Sequence, residues 1–190
     1  TSLKPILLIL QAEDSGEGQL PQLIAALDEA RPGLAQAAVS LDRVVAARTE
    51  ITNVDEFPER LQPLFAQADE WLPIAQDSLA VVQVLPEIMG VNGRRSYLLL
   101  AQNEDELRAT GGYISGVGTL TIENGDIQSL TFQNADQFDV QNLIQNSASY
   151  SYPPKPLYDI MGAEYFLLRD ANYWPDFPYS AQQVIDLYRR

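Results

Sequence analysis

Arginine and carboxylate side chains gather in two short polar runs, Gln102-Asn103-Glu104-Asp105-Glu106-Leu107-Arg108-Ala109-Thr110-Gly111-Gly112 and Arg169-Asp170-Ala171-Asn172-Tyr173-Trp174-Pro175-Asp176-Phe177-Pro178, each launched from an apolar stretch. Polar loops at the ends of strands are where a rigid scaffold presents binding groups. If the first run is extended, Glu106, Arg108 and Thr110 share one side, with Leu107 and Ala109 anchoring the other. Gly111 and Gly112 permit close backbone approach, so a phosphate or carboxylate resting on those N–H groups would meet the Arg108 guanidinium. The same residues fit a plainer role, in which Arg108 pairs with Glu106 or with a carboxylate of the second run and fastens the loops together. In the second run Arg169 and Asn172 are candidate ligand-binding groups. Asp170 and Asp176 offer oxygen ligands to Mg²⁺, although the spacing lacks the one-three-five pattern and closing Glu of a calcium loop. The competing use of these side chains is a rigid turn whose Asp and Asn cap the next helix.

Composition narrows the chemistry. The 190 residues contain no Cys and no His, which removes thiolate nucleophiles, disulfides, imidazole bases and the usual zinc ligands. Acid or base work would fall to carboxylates, Tyr or Lys, and any metal must be a hard ion, Mg²⁺ or Ca²⁺, on Asp, Glu and amide oxygens; no organic cofactor is expected, because no nucleophile elbow, phosphate loop or dinucleotide fingerprint is present. The net charge is -14, with 5 basic against 14 acidic residues up to Gly90 and 7 against 12 beyond it. Neither half suits a nucleic acid, whose phosphates need basic clusters. The longest apolar run, Ile6 to Leu10, is far shorter than the roughly 20 residues of a membrane-spanning helix. The start at Thr1, directly in apolar sequence, reads as that of an excised or processed fragment. Tyr158, Tyr165, Tyr173 and Tyr188 suggest either ring stacking on a carbohydrate or half-buried core residues with a bonded tip.

The elements that must position these groups are of two kinds. From Leu20 to Arg48, apolar residues at Leu20, Ile24, Leu27, Leu34, Ala38, Leu41 and Val45 keep coiled-coil spacing, with Pro32 predicted to kink the helix without turning it. Asp55 is a candidate N-cap for a second helix whose seam is Leu61, Leu64, Ala68, Leu72, Ala75, Leu79 and Val82, interrupted by Pro63 and Pro73. Residues 1–90 are therefore expected to form a long antiparallel, Pro-kinked helical hairpin or stalk. Residues 91–190 are expected to form a small α/β domain, incomplete at its C-terminus, which gives an α+β chain overall. Ser96–Ala101 reads as a short strand buried on both faces, and Tyr113–Glu123 as another. Asn124-Gly125 predicts a type I′ hairpin turn. A short helix over Asp139–Gln145, a loop over Ser147–Pro156, a Tyr165–Leu168 run that is either a last strand, the reading the adjoining polar run favours, or the end of an apolar helix, and a helix Ala181–Arg190 capped by Ser180 complete the expectation.

The segments Arg94–Asn103, Glu106–Gly112 and Arg169–Ala181 together resemble the bacterial domain of unknown function 4012, from about Leu85 to the C-terminus. Ala101, where an aromatic or Leu is common, and Tyr173 beside Trp174 depart from that pattern. The resemblance implies an extracytoplasmic domain of a membrane-anchored envelope protein. The anchor would lie in a segment outside this chain, the helical portion would be the stalk, and further strands would follow Arg190. A more distant likeness is to the LytR-CpsA-Psr group, which transfers polymers from polyprenyl pyrophosphate with Mg²⁺. Two functions follow as expectations. One is a non-catalytic module that binds an envelope polymer, a lipid-linked ligand or a neighbouring protein. The other is a transferase in which Arg108 and Arg169 neutralise a pyrophosphate and Asp170 or Asp176 holds the ion.

Overall fold

The computed structural model describes residues 19–190, so the Ile6–Leu10 run lies outside the described residues. It is an α+β arrangement of five α-helices and one antiparallel sheet of three strands. The described residues divide into two compact units: the first is the described chain before Ser96 together with Ile122–Ile127, and the second is Ser96–Thr121 with Gln128–Arg190.

The first unit is a helical hairpin. Helix α1 (Gln19–Glu50) runs without a break through Pro32, and α2 (Gln62–Ile88) through Pro73 and Pro86. They are antiparallel, since Arg48 pairs with Asp69 at 2.6 Å while Gln76 donates to Asp42 at 2.8 Å. Ile24, Leu27, Ala30 and Leu34 are buried against Leu79, Val82 and Leu85 of α2. On α2 the seam is Phe65, Ala68, Leu72, Gln76 and Leu79, so Leu64 and Ala75 are corrected to the exposed side. The proline-distorted pattern admits two phases, and the Gln76–Asp42 bond shows which one faces α1. Asp55 is not the cap of α2; it sits inside a single 3₁₀ turn, Val54–Glu56, and Leu61 precedes the helix, with Pro63 in the first turn where no N–H is needed. None of the helices among the described residues is long and apolar enough to cross a membrane.

Strands β1 (Arg95–Arg108), β2 (Gly111–Glu123) and β3 (Asp126–Asn134) lie in the order β1-β2-β3. The β2–β3 turn is as expected, with positive φ at Asn124 (53°) and Gly125 (79°). Its tip belongs to the helical unit, where Asn124 N donates to Gly90 O and Gly125 N to Met89 O. The first polar run is not a loop. β1 continues through it to Arg108, because a Cβ at Gly112 would lie 2.1 Å from Asn103 O, and its absence lets the two strands close on a two-residue turn. Nor is the start of β1 buried on both faces. As an edge strand it has no fully buried residue: Tyr97, Leu98 and Leu99 are half-buried, between the exposed Ser96 and Leu100.

Helices α3 (Ala135–Asn146), α4 (Lys155–Met161) and α5 (Phe177–Tyr188) cover the second unit. Its core joins Ile114 and Val117 of β2 to Phe138, Leu157, Phe166, Leu168, Val184 and Leu187. Each such side chain contributes about 1.5–3 kcal/mol on burial. Tyr165–Leu168 is not a strand. Among the described residues no neighbouring strand completes its ladder; instead the Asp139 carboxylate accepts from the N–H of Leu168 (2.9 Å) and of Arg169 (3.2 Å), and the chain turns in a 3₁₀ step, Leu168–Asp170. The cap of α5 is Asp176, which accepts from Tyr179 N at 2.8 Å, and not Ser180, whose hydroxyl donates to Trp174 O. With Pro178 in the first turn, the helix starts four residues earlier than the Ser180 cap implies.

Candidate functional site

The second unit contains a cleft of about 560 Å³ whose walls come from four places in the chain. The end of β1 supplies Glu106 and Arg108, and β2 supplies Tyr113. Asp136 comes from the first turn of α3, a helix capped by the Asn134 side chain on Gln137 N at 3.1 Å. The 3₁₀ step supplies Arg169 and Asp170, held in place by the two bonds to Asp139 just described. Glu164 and Tyr165 close the rim.

A relay of short contacts crosses this cleft. The Arg108 guanidinium lies over the Tyr113 ring, 5.3 Å from its centre, in cation–π geometry. Tyr113 donates its hydroxyl to Asp136 Oδ1 at 2.7 Å, and Arg169 Nη1 reaches the same oxygen at 2.7 Å. Arg169 Nε is also 3.6 Å from Asp170. The hydrogen bond from Arg169, helped by the one from Tyr113, holds the Asp136 carboxyl below its usual range against the opposing effect of burial. Burial, reinforced by Asp136, pushes the Tyr113 phenol up to about 12, so it stays a donor at any physiological pH. Burial pulls the Arg169 guanidinium down, but its carboxylate partners outweigh that and leave it raised. Asp170, 5% exposed, is pushed up by burial despite its arginine neighbours.

The two cations are therefore unlike. Arg169 is matched by Asp136 and Asp170. Arg108 makes no ion pair among the described residues; Nη1 donates to Leu107 O at 3.2 Å, and the buried Nε has no acceptor. The fastening role that Arg108 could have filled is taken by Arg169 and Asp136.

Residues 92–190, which include every wall of this cleft, match a family described as "Protein of unknown function (DUF4012)". The chain belongs to the DUF4012 family. No curated protein and no solved structure matches it.

Within the DUF4012 region, Glu106, Arg108, Arg169 and Asp170 meet at one cleft, whereas the other candidates lie elsewhere. Thr110 is in the β1–β2 turn, off the side shared by Glu106 and Arg108, and its Oγ1 is 3.4 Å from Asn172 O. Asn172 Nδ2 donates to Gly112 O at 2.7 Å, and Gly111 serves the turn with φ 128°. Asp170 and Asp176 do not meet as ligands for Mg²⁺. Asp176 caps α5, Asp170 is buried beside Arg169, and no group of three or more carboxylates among the described residues is placed to hold a metal. Tyr113, Asp136 and Glu164 are wall residues that are not among the candidates drawn from the sequence. The signal for Asp136 was present, since Asn134 followed by Gln137 has capping-box spacing and places Asp136 in a first turn. Tyr113 and Glu164 carry no comparable local mark.

Proposed function

We propose that this DUF4012 domain is a non-catalytic binding module on the extracytoplasmic side of a membrane-anchored bacterial envelope protein, and that the Arg108 cleft grips a hydroxyl-rich envelope polymer. Membrane anchoring and location rest on the family resemblance. The choice of ligand rests on one observation: of the cleft's two arginines, Arg108 makes no ion pair among the described residues, and it lies against an aromatic face. Four carboxylates (Glu106, Asp136, Glu164 and Asp170) outnumber two guanidiniums in the lining. Such a surface repels a pyrophosphate, which argues against the polyprenyl-pyrophosphate transferase alternative. It suits a glycan, whose hydroxyls donate to carboxylates, whose ring stacks on tyrosine and whose occasional acidic group meets Arg108.

The test is co-sedimentation of the purified chain with bacterial cell-wall sacculi that retain their attached polysaccharide. Arg108→Ala is expected to weaken retention about tenfold or more, the worth of one charge-assisted hydrogen bond. Tight binding of pyrophosphate with Mg²⁺, turnover of a lipid-linked substrate, or retention unchanged by the substitution would each refute the reading.

A further inference from the structure

We infer that the second unit carries a separate binding site, a small cleft between β1 and α5 that takes a compact, uncharged, apolar ligand bringing one O–H or N–H donor. The cleft measures about 160 Å³ and shares no wall residue with the Arg108 cleft. Leu98 and Leu100 form its strand side, and Ala181, Val184 and Ile185 its helix side. None of its wall residues is ionisable, so a charged ligand would be stripped of water without compensation.

The requirement for a donor comes from the polar end. Thr110 and Ser180 both line the cleft, but their hydroxyls donate to backbone carbonyls, Thr110 Oγ1 to Asn172 O at 3.4 Å and Ser180 Oγ to Trp174 O at 2.9 Å. Asn172, 2% exposed, is oriented by the bond from its Nδ2 to Gly112 O. Its Oδ1 is left buried and accepts no hydrogen bond among the described residues. Buried acceptors in folded proteins are nearly always satisfied, and an unmet one in the wall of an apolar cleft is a vacancy for a ligand's donor. Size sets the rest, because an apolar cavity of about 150 Å³ accommodates benzene. The ligand class is thus a single ring or short branched chain with one hydroxyl or N–H.

Phenol and anisole test this. Anisole is the more apolar of the two but has no donor, so hydrophobicity and the proposed hydrogen bond favour opposite compounds. In a titration followed by amide ¹H–¹⁵N spectra, phenol is expected to give saturable shifts at Thr110, Asn172 and Ala181, and to bind at least about fivefold more tightly than anisole. Leu100→Trp, which fills the cleft from the strand, should abolish those shifts; Ala181→Phe fills it from the helix should the first variant not fold. Anisole binding as tightly as phenol, shifts unaffected by either filler, or no saturation up to the solubility of phenol, meaning that water alone satisfies Asn172, would each overturn the inference.

Discussion

Asp139 offers the sharpest test of how the cleft is held together. It is 1% exposed, and it accepts the N–H groups of Leu168 and Arg169, the bonds that hold the 3₁₀ step carrying Arg169 and Asp170. Burial pushes its carboxyl up to about 6 from 3.8; the two backbone bonds and Arg169 oppose that rise and Asp170 adds to it. A rise of roughly two units corresponds to about 3 kcal/mol. The sign follows from proton binding. Between about pH 3.8 and 6 the folded chain holds this proton more tightly than the unfolded chain, so the contribution is fully present below the lower value. It is lost as pH rises through the higher one. Asp139→Asn cannot ionise. It keeps one acceptor oxygen for Leu168 N but turns an NH₂ group towards the Arg169 N–H, a mismatch costing about 1–3 kcal/mol at every pH. Near pH 4 the variant should be less stable than the wild type by that amount. Towards pH 8 the gap should shrink by about 3 kcal/mol and close or reverse. Urea unfolding reports this through Trp174, whose ring packs edge-on against Phe166 and Tyr179, whereas Trp71 is 61% exposed and changes environment little. A gap that stays constant from acid to alkaline pH would refute the reasoning.

Two further outcomes follow from packing and capping. Gly112→Ala should destabilise the chain by about 3 kcal/mol, because its methyl would meet the Asn103 carbonyl of the paired strand; a chemical melt indistinguishable from the wild type would show that β1 and β2 can part without cost. Asp176→Ala removes the cap of α5 and should cost about 1 kcal/mol by the same measurement, and a cost near zero would mean the Pro178 turn holds the helix start unaided.

How much of this was legible in the residues depended on where each element finds its partners. Asn124-Gly125 announces its turn because positive φ at two successive positions is a local demand that few dipeptides meet. The helical seam is equally local in α1, where Ile24, Leu27 and Leu34 are buried as their spacing implies. Tyr165–Leu168 has the look of a strand in sequence because its hydrogen-bond partner is a side chain 29 positions away, and an apolar run of four carries no mark to distinguish a strand from a chain pinned by a carboxylate. The polar run from Gln102 looked like a loop because polarity usually means exposure; an edge strand is exposed as well, and the pairing of β1 is decided by the glycine opposite it. In the cleft, the convergence of Arg108 and Arg169 could be guessed from two similar runs. Which of the two would be neutralised could not, since the deciding residue, Asp136, lies 33 positions from Arg169 on a helix whose first turn was not recognised.

The packing around β2 also bears on how this protein's kin can be traced. At Gly112 and Gly118 a methyl group would come within 3 Å of a neighbouring strand's backbone, so those letters admit almost no alternative spelling. The helical hairpin asks only that apolar residues recur along a seam, a condition that leucine, alanine, valine and isoleucine satisfy interchangeably. Descent should therefore remain recognisable in the strand-bearing part, where the family match lies, long after the helices have drifted beyond comparison.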